Sequence, residues 1–505
     1  MKFRNSVLLI TVLSAAFVLA GCGETVAADR NKKTKKNFEE RIKNSIVHLS
    51  VTANSYENFQ PWKRATVIQK SGYGCAVAPY QVLTTAWNVS NATFIKVKIA
   101  GQNEFVPAKV KVVDYESNLC LLDLDRNAMS GGLIPLAFSE DFEKNEKAVS
   151  YRLTSGGHLK TGRGILDRAE VNTSTMSFGQ FLDYVVANAP SSSGRASLYC
   201  VNEKPIGIAN WSEIDNKETG LIPGVVINKF LEDAANGEYK GFPSVGFSAK
   251  KLIDPATRKF LKMPDDLKDG VYVSKVFNLG TGSKELRQGD CILSIDGNTL
   301  DPYGKFTDPK FEKIIYHHLI SGHTVGDIIK FAVWRNGEKL KLDVRAKTIN
   351  AADMLVDYYE YDKQPEYIIT GGYVIQKLTR PYLKIWGDNW QGKCPPHLYH
   401  YYRDLAFMPA DDRKDIAVLS FVLPADINQG YHSLGRQVVS KINGKKIHSF
   451  KDIPEALTAN MMSKFTTIEF EHDYPTVVID RAELTAADSF TAKTYGIQKM
   501  KNIRD

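Results

Sequence analysis

The 505-residue chain lacks the patterns that would place it in several common classes of protein. Its six cysteines include no Cys-x-x-Cys pair and no metal-ligand spacing, which argues against a zinc module and a thioredoxin-like redox site. No segment combines clustered basic residues with aromatic residues as nucleic-acid-binding modules do. His317, His318 and His323 have no accompanying group of carboxylates or cysteines. We therefore predict no metal site, no cofactor and no nucleic-acid partner.

A long apolar run is missing as well. The N-terminal apolar stretch, residues 6–20, is too short for a comfortable membrane span and is typical of an export signal. It ends in Leu-Ala-Gly before Cys22, which resembles the lipobox of bacterial lipoproteins. We expect residues 1–21 to be a lipoprotein signal peptide and Cys22 to carry the lipid anchor. Ordinary signal cleavage a few residues later is the alternative.

Five cysteines remain after position 22, and their odd number excludes complete pairing. They are widely spaced, and Cys75, Cys120 and Cys200 lie in apolar, strand-like runs. Export would place them in an oxidising compartment where disulfides are permitted. We predict buried free thiols, and a single bridge among the five stays open.

The composition is that of a soluble globular protein with a mild positive charge. Apolar residues make up 43% and charged residues 24%, and the formal net charge is +8. At roughly 150 residues per domain, the length gives about three domains. Because part of the charge lies in residues 30–43, we expect a solvated basic tether over residues 22–43. Contact of this tether with anionic lipid is the alternative.

Residues 44–238 contain many short runs in which apolar and polar residues alternate. Examples are "SIVHLSV", "FIKVKIA" and "FLDYVVANA". Alternation and β-branched residues predict strands, and regularly spaced short strands indicate a β-barrel or a sandwich. The helix-like stretch "GVVINKFLEDAANG" closes this unit, with Gly237 as its stop signal.

Two further units share one order of elements. In the first, a strand ends in a tight turn at residues 292–297 ("ILSIDG"), followed by the helix-like "KFEKIIYHHLISG" and a hairpin signal at Asn336-Gly337. In the second, residues 439–444 ("VSKING") make the same turn before the helix-like "FKDIPEALTANM". The fold class is therefore mostly β with α+β modules. The predicted bounds of the two modules and of the C-terminal tail are residues 242–348, 349–483 and 484–505.

Five motifs of the first unit resemble, in order and approximate spacing, those of the HtrA/Deg family of exported, trypsin-like serine proteases with C-terminal PDZ domains. They are "GYGCAVAP", "VLTTAWNV", "DYESNLCLLDLD", "GRGILDR" and the pair "NAPSSSGRAS" and "PIGIANW". In the second unit "ELRQGDCILSIDGNTL" is strongly PDZ-like. In the third, "GGYVIQKLTRPYL" and "ADINQGY" most resemble the plant-type Deg branch. The resemblance implies a trypsin-like double β-barrel followed by two PDZ-like domains.

The resemblance places three residues of this chain at the family's catalytic positions. Trp87 stands at the histidine position, Asn118 at the aspartate position and Ser193 at the nucleophile position. Tryptophan has no basic nitrogen and asparagine has no charge, so neither can support the proton transfer of a serine hydrolase. Ser191 and Ser192 form the matching oxyanion loop, in which Ser191 replaces a glycine that helps backbone N–H groups converge.

A shifted alignment does not supply the missing base. No histidine occurs between residues 49 and 157, and neither His48 nor His158 matches the family's base. In a working serine protease, removal of the catalytic histidine costs about 10⁶-fold in kcat. We predict a pseudoprotease. An active serine endopeptidase, in which an unrecognised base assists Ser193, is the alternative.

The PDZ resemblance implies peptide binding by strand addition, with backbone N–H groups of a short loop receiving the terminal carboxylate. Phe247 or Tyr373 would help to line a side-chain pocket. Loops that pack internally, or that serve assembly, are the alternative. The matching loops are Ser244-Val245-Gly246-Phe247 in the first PDZ-like unit and Gly371-Gly372-Tyr373-Val374 in the second.

Together these features predict an exported, lipid-anchored protein of the bacterial cell envelope. We expect it to bind peptide C-termini or unfolded polypeptides without cleaving them. Because family members are commonly trimers or multiples of trimers, the resemblance also implies a homo-oligomer. A structural lipoprotein with occluded PDZ loops is the remaining alternative.

Overall fold

The computed structural model describes residues 36–189, 195–410, 412–472 and 474–504. Over these ranges the chain forms two β-barrels followed by two α+β modules. This confirms the predicted mostly β fold class. The predicted signal peptide and Cys22 lie outside the described residues, as do Ser191, Ser192 and Ser193.

Six antiparallel strands close the first barrel in the order β1-β2-β3-β6-β5-β4. Alternate residues of β1, such as Val47, Leu49 and Val51, are fully buried inside it because side chains of a strand point to opposite faces in turn. A helix over residues 36–43 (α1) precedes the barrel and buries Ile42 in the core, so this part of the predicted solvated tether is packed against the fold. The elements of the first barrel are β1 (Ile46–Ser55), β2 (Thr66–Ala78), β3 (Gln81–Thr85), α2 (Ala86–Val89), β4 (Ala92–Ile99), β5 (Val106–Asp114) and β6 (Leu119–Leu124).

The second barrel is also closed, in the order β10-β11-β12-β9-β8-β7. The predicted terminal helix is confirmed, and Gly237 beyond its end has a φ of +92°. The core between the barrels includes Tyr184 and Tyr199, both fully buried. The elements are β7 (Lys147–Leu153), β8 (Leu159–Thr173), β9 (Gln180–Ala187), β10 (Leu198–Val201), β11 (Lys204–Glu213), β12 (Glu218–Pro223) and α3 (Gly224–Ala235).

The first α+β module is built on a sheet of order β13-β14-β15-β19-β20, with β16 paired to β15. The predicted hairpin turn is confirmed, because Asn336 and Gly337 have φ values of +53° and +93°. The elements are β13 (Phe247–Lys251), α4 (Pro255–Phe260), β14 (Val271–Val276), β15 (Cys291–Ile295), β16 (Asn298–Thr299), β17 (Lys305–Asp308), β18 (Glu312–Ile315), α5 (His317–Ser321), β19 (Ile328–Arg335) and β20 (Glu338–Arg345).

The helix predicted for "KFEKIIYHHLISG" is mostly wrong. Its first half forms β18, which pairs with β17, and only α5 is helical. The carboxylate of Asp308 accepts the backbone N–H groups of Lys310 and Phe311 and so makes a tight turn between the two strands. Phe306 and Ile314 then bury their side chains from facing strands.

The second α+β module contains an eight-stranded sheet of order β27-β26-β24-β23-β22-β21-β28, with β25 paired to β24. The predicted repeat is present: Asp296 and Asn443 have φ values of +48° and +51°, each followed by a positive-φ glycine. The elements are β21 (Tyr367–Thr370), β22 (Tyr373–Lys377), α6 (Arg380–Leu383), α7 (Trp390–Lys393), α8 (Pro396–His400), β23 (Ala417–Val422), β24 (Gln437–Ile442), β25 (Lys445–Lys446), α9 (Ile453–Thr458), β26 (Phe465–Phe470), β27 (Val477–Asp480), α10 (Arg481–Thr494) and β28 (Lys501–Asn502).

The C-terminal residues fold onto this second module instead of forming the tail predicted over residues 484–505. Asp480 caps α10 by accepting the Ala482 N–H at 3.0 Å. Strand β28 then pairs with β21, and the Ile369 N–H donates to the carbonyl of Met500 at 2.7 Å.

The five cysteines within the described ranges are free and buried, as predicted. Burial raises the pKa of Cys75 to about 12, so its thiol stays protonated. The others are Cys120, Cys200, Cys291 and Cys394.

Candidate functional site

Trp87 lies on α2, where the chain turns after β3. Its indole is half-buried between two cationic side chains. The guanidinium carbon of Arg195 lies 4.0 Å from the ring centroid, and Nζ of Lys70 lies 5.1 Å from it. Such contacts contribute roughly 0.5–2 kcal/mol each. Trp87, which is predicted to stand at the position of the family's general base, therefore contacts two cationic side chains with its ring.

Lys70, on β2, is a partly buried amine beside Trp87. Its Nζ donates to the Trp87 carbonyl at 3.2 Å, to the Ser90 carbonyl at 2.8 Å and to the Ser90 hydroxyl at 2.7 Å. Burial lowers the pKa of Lys70 to about 8, with Asp362 opposing this change and Arg195 adding to it. The three ammonium hydrogens thus have acceptors at the end of α2.

Asn118 begins a chain of buried hydrogen bonds that joins the two barrels. Its Oδ1 accepts the backbone N–H of Trp87 at 2.9 Å, and its Nδ2 donates to Oδ1 of Asn210 at 2.9 Å. Nδ2 of Asn210 donates to Oδ1 of Asp183 at 3.4 Å, and Asp183 Oδ2 accepts the Trp211 indole N–H at 2.8 Å. Burial raises the pKa of Asp183 to about 6. From Trp87 onwards, every donor points toward Asp183.

The remaining predicted catalytic residues are not brought into this arrangement. Ser193 lies outside the described residues, and the first described residue after it is Arg195. His48 on β1 places Nε2 2.9 Å from the Ser71 hydroxyl, and burial lowers its pKa. His158 lies exposed between β7 and β8. Within the described ranges no hydrogen bond or ring contact joins either histidine to Trp87 or Asn118.

Residues 357–362, here called the strap, cross from the second α+β module to the barrels. At one end Asp362 and Asn91 exchange two hydrogen bonds of 2.5 Å: each backbone N–H donates to the other side chain. The Tyr115 hydroxyl also donates to the carboxylate of Asp362. Asn91 follows α2 and Tyr115 follows β5, so the strap binds the two first-barrel loops that carry Trp87 and Asn118.

The middle of the strap reaches the second barrel. The ring of Tyr361 stacks on that of Tyr115 at 4.3 Å, and its hydroxyl donates to the carbonyl of Met176 at 3.0 Å. Met176 lies between β8 and β9 of the second barrel. The strap therefore spans the cleft between the barrels beside Trp87 and Asn118.

Ion pairs fix the opposite side of the strap to its own module. Asp357 accepts the ammonium of Lys377 at 2.9 Å. The Arg504 guanidinium pairs with Glu360, and with Glu366 at 2.7 Å. Both glutamates are more than nine-tenths buried in side-chain surface, so the C-terminal segment helps to hold the strap.

The loop predicted to bind peptide in the first α+β module borders a cavity of about 480 Å³. Ser244, Val245 and Phe247 line it, whereas Gly246 does not. A Cβ on Gly246 would lie 2.7 Å from the carbonyl oxygen of Thr281, so the glycine is required for internal packing. Its N–H donates to that same oxygen at 2.8 Å.

The loop predicted for the second module is filled by the chain itself. Gly371, Gly372, Tyr373 and Val374 are all buried at the β21–β22 turn. The Gly371 N–H donates to the carboxylate of Asp488, on α10, at 2.6 Å. An internal carboxylate thus occupies the donor that the prediction assigned to a ligand.

Comparisons with known proteins agree with this architecture. A family model described as PDZ domain matches residues 356–502. The chain is 28% identical to Protease Do-like 2, chloroplastic, of Arabidopsis thaliana over 93% of this chain and 76% of that protein. It is 26% identical to Putative protease Do-like 3, mitochondrial, of the same plant, over 85% and 75%.

The chain is similar to proteases of the HtrA/Deg family over most of its length. A solved HtrA-type protease, AlgW with a decapeptide, aligns with a TM-score of 0.47 and 16% identity, over 62% of this chain and 98% of that one. The plant relatives fit the plant-type Deg branch that the third unit predicted. This similarity and the PDZ module fit peptide binding and oligomer formation.

Several residues of this HtrA/Deg-like protein escaped the sequence analysis. Lys70 and Asp183 lie in none of the quoted motifs, Asn210 lies in "PIGIANW" without a role that the motif assigns, and Tyr361 belongs to an acidic, tyrosine-rich segment without a recognised pattern. The run "DYYEYD" at residues 357–362 was the available signal, because clustered tyrosines and acids between two modules are unusual for a solvated linker.

The structure adds two negative findings for the described ranges. They contain no group of three or more histidine, cysteine, aspartate or glutamate side chains placed to hold a metal ion. No helix among them combines the length and apolar character needed to cross a membrane.

Proposed function

We propose that this HtrA/Deg-like protein is a pseudoprotease, which binds peptides or unfolded polypeptides and does not hydrolyse them. One observation carries the proposal: Trp87, at the family's general-base position, is held by Arg195 and Lys70 and offers no proton acceptor. A positioned base contributes about 10²–10⁴-fold to proton transfer, and a serine protease loses about 10⁶-fold without its histidine.

The rival candidate is an active endopeptidase in which Lys70 takes the proton from Ser193. Such a dyad needs a neutral amine with its lone pair directed at the hydroxyl. The lowered pKa of Lys70, about 8, favours this candidate. Its three hydrogen bonds to Trp87 and Ser90 oppose it, because loss of a proton removes one of them.

The strap gives further support to a non-proteolytic role. Tyr361 and Asp362 bridge the loops on both sides of the cleft, where an extended substrate would have to lie beside Trp87. Entry of a substrate would require these hydrogen bonds and the Tyr115 stack to break.

Peptide binding is assigned to the first PDZ-like module. Its strand β13 is at the edge of the sheet, and Ser248 and Ala249 of this strand line the 480 Å³ cavity. An edge strand can accept an extended peptide as a further strand. We assign the second module to packing, because Asp488 already binds its loop.

The cellular setting is part of the proposal and rests on the N-terminal sequence. The export signal and Cys22 support a lipid anchor in the bacterial cell envelope, since multiply acylated cysteines bind membranes stably. A homo-oligomer, as a trimer or a multiple of trimers, is supported by the similarity to the HtrA/Deg family.

Purified mature protein is expected to show no serine hydrolase chemistry. We expect no labelling by a fluorophosphonate probe and no cleavage of unfolded casein, because Trp87 at the family's base position cannot take up a proton. The Ser193→Ala and Lys70→Met variants should match the wild type, and an active HtrA-type protease serves as positive control. Turnover that disappears in Ser193→Ala would overturn the pseudoprotease, and additional loss in Lys70→Met would establish the lysine base.

Peptide binding at the β13 groove is tested separately with Ser248→Trp. The indole would fill the cavity from an exposed position, so we expect binding of labelled peptides in fluorescence anisotropy to fall at least tenfold. Ser155→Trp, on an exposed loop of the second barrel, is the matched control and should bind normally. If the wild type binds no peptide of an array, the structural lipoprotein becomes the better description.

A further inference from the structure

The cavity at the β13 groove is built by four parts of the chain, and this determines its chemistry. Ser244 and Phe247 come from the first PDZ-like module, and Phe181 comes from β9 of the second barrel. The strap contributes Tyr358, and the second PDZ-like module contributes Arg403. A ligand here therefore contacts side chains that a lone PDZ module would not supply.

Aromatic rings and positive charge dominate the wall of this cavity. Five phenylalanines and three tyrosines line it, with two arginines, Arg380 and Arg403. None of the described residues in the wall is an aspartate or a glutamate. His317 adds no charge at neutral pH, since burial lowers its pKa to about 4. The wall thus fits a ligand with one negative group and a large apolar group.

The short loop of the first module cannot offer all of its N–H groups to that negative group. The Ser244 N–H donates to the carbonyl of Lys347 at 2.8 Å, and the Gly246 N–H donates to that of Thr281 at 2.8 Å. Both donors are part of the internal hydrogen bonding of the fold. A carboxylate at this end of the groove therefore finds fewer backbone donors, and a side-chain donor would supply the hydrogen bonds that these two groups do not.

The two arginines differ in the hydrogen bonds that they already make within the protein. Arg380 donates to the carbonyls of Met176 and Ser177, at 2.8 and 3.3 Å, and its guanidinium carbon lies 5.4 Å from the ring of Tyr358. Arg403 is exposed and forms no ion pair with any residue that the structure describes. The N–H groups of its guanidinium can therefore donate to a planar carboxylate.

We propose that Arg403, with Arg380 in the wall of the same cavity, receives the carboxyl-terminal carboxylate of a bound polypeptide whose last, large apolar side chain lies among the aromatic rings. The inference rests on the peptide binding proposed above and names its receptor group. The second PDZ-like module would then contribute specificity to the first, in addition to its packing role.

The test uses the full mature protein and two fluorescein-labelled decapeptides that end in phenylalanine, one with a free carboxylate and one with a carboxamide. We expect the carboxamide to bind the wild type roughly 10- to 100-fold more weakly, as for loss of a charge-assisted hydrogen bond. Arg403→Met should weaken binding of the carboxylate peptide by a similar factor and abolish the difference in affinity between the two peptides. Arg403→Lys should restore part of the difference in affinity between the two peptides.

Arg163→Met, an exposed arginine on β8 outside the cavity, is the control and should leave both affinities unchanged. Inorganic phosphate is added as a competitor. If the same phosphate concentration displaces both peptides, the cavity is a general anion site and the carboxylate assignment is overturned. If the wild type and Arg403→Met each bind the two peptides with equal affinity, the carboxylate assignment is overturned, but the proposed peptide binding is not. If neither peptide nor any array peptide binds the wild type, the proposed function fails as well.

Discussion

The double substitution Trp87→His with Asn118→Asp, which rebuilds the family's base and acid, is expected to yield no proteolysis and a less stable protein. The reason lies in the hydrogen-bond chain from Trp87 to Asp183, in which each donor points toward Asp183. An asparagine at position 118 fits this chain because its amide both accepts and donates.

An aspartate at position 118 would accept at both ends. One oxygen could take the Trp87 N–H, but the other would face Oδ1 of Asn210 at 2.9 Å. Reversal of the Asn210 amide relieves that contact and turns its oxygen toward the carboxylate of Asp183. The new buried charge therefore stays unpaired, which costs about 3 kcal/mol or more near pH 7.

The imidazole introduced by Trp87→His would meet unfavourable surroundings as well. Arg195 lies over this position, and its positive charge would oppose protonation of the imidazole. The strap would still bridge the cleft through Tyr361 and Asp362. Both effects act against a working base even where the residue type is correct.

Thermal melting and casein cleavage measure the two expectations. The melting temperature of Asn118→Asp should fall by roughly 6–12 °C, with a smaller fall at acidic pH where the new carboxyl is protonated. Asn103→Asp, on an exposed loop of the first barrel, is the control for added charge and should melt like the wild type. Cleavage by the double variant that depends on Ser193 would contradict this account.

Glu116→Gln is expected to stabilise the protein at alkaline pH and to change little at acidic pH. Glu116 lies between β5 and β6 and is partly buried, with Oε2 accepting the Ser177 hydroxyl at 2.6 Å and the Gly179 N–H at 3.1 Å. Burial raises the pKa of Glu116 to about 8, and the nearby carboxyl of Asp114 adds to the rise.

The direction of the pH effect follows from that raised pKa. The folded protein holds this proton more tightly than the unfolded chain, whose glutamates have a pKa near 4.5. The contribution of Glu116 to stability is therefore intact below pH 4.5 and is lost as the pH rises to about 8. At about 1.4 kcal/mol per pKa unit, the loss is on the order of 5 kcal/mol.

Glutamine keeps an oxygen for Ser177 and Gly179 and cannot ionise. The difference in melting temperature between Glu116→Gln and the wild type should thus be small at pH 5 and grow steadily to pH 9. The exposed Glu104→Gln is the control and should show no such growth. A difference that does not change with pH would mean that the Glu116 carboxyl ionises without cost in the folded protein.

Local patterns account for the elements that were predicted well. Turns such as Asn336-Gly337 and Asn443-Gly444 depend on two residues that tolerate positive φ, so the sequence marks them directly. The same is true of α3, whose apolar spacing and Gly237 both lie within fifteen residues. The stretch at residues 310–322 was misassigned because a turn fixed by Asp308 outweighed its helix-like spacing.

The candidate site was predicted in part. The residue types at positions 87 and 118 are visible in the sequence, and tryptophan and asparagine by themselves exclude a base at the family's position. The partners of these residues were not visible: Asn118 bonds Asn210, 92 positions away, and no short motif encodes that pairing. The same holds for Lys70, whose lowered pKa arises from burial and not from its neighbours in sequence.

The sequence by itself determined the order of barrels and PDZ-like modules, the family and the loss of basic side chains at the catalytic position. The module order and the family follow from motifs that resemble those of known proteins, and the missing base follows from the residue types at positions 87 and 118, so each rests on a few neighbouring residues. Only the tertiary structure decided that the strap crosses the cleft, that Asp488 fills the second loop and that Arg403 lines the first groove. Gly371 and Asp488 are 117 residues apart within one module, and Asn91 and Asp362 are 271 residues apart in different modules. Such contacts form only when distant segments of the chain pack together.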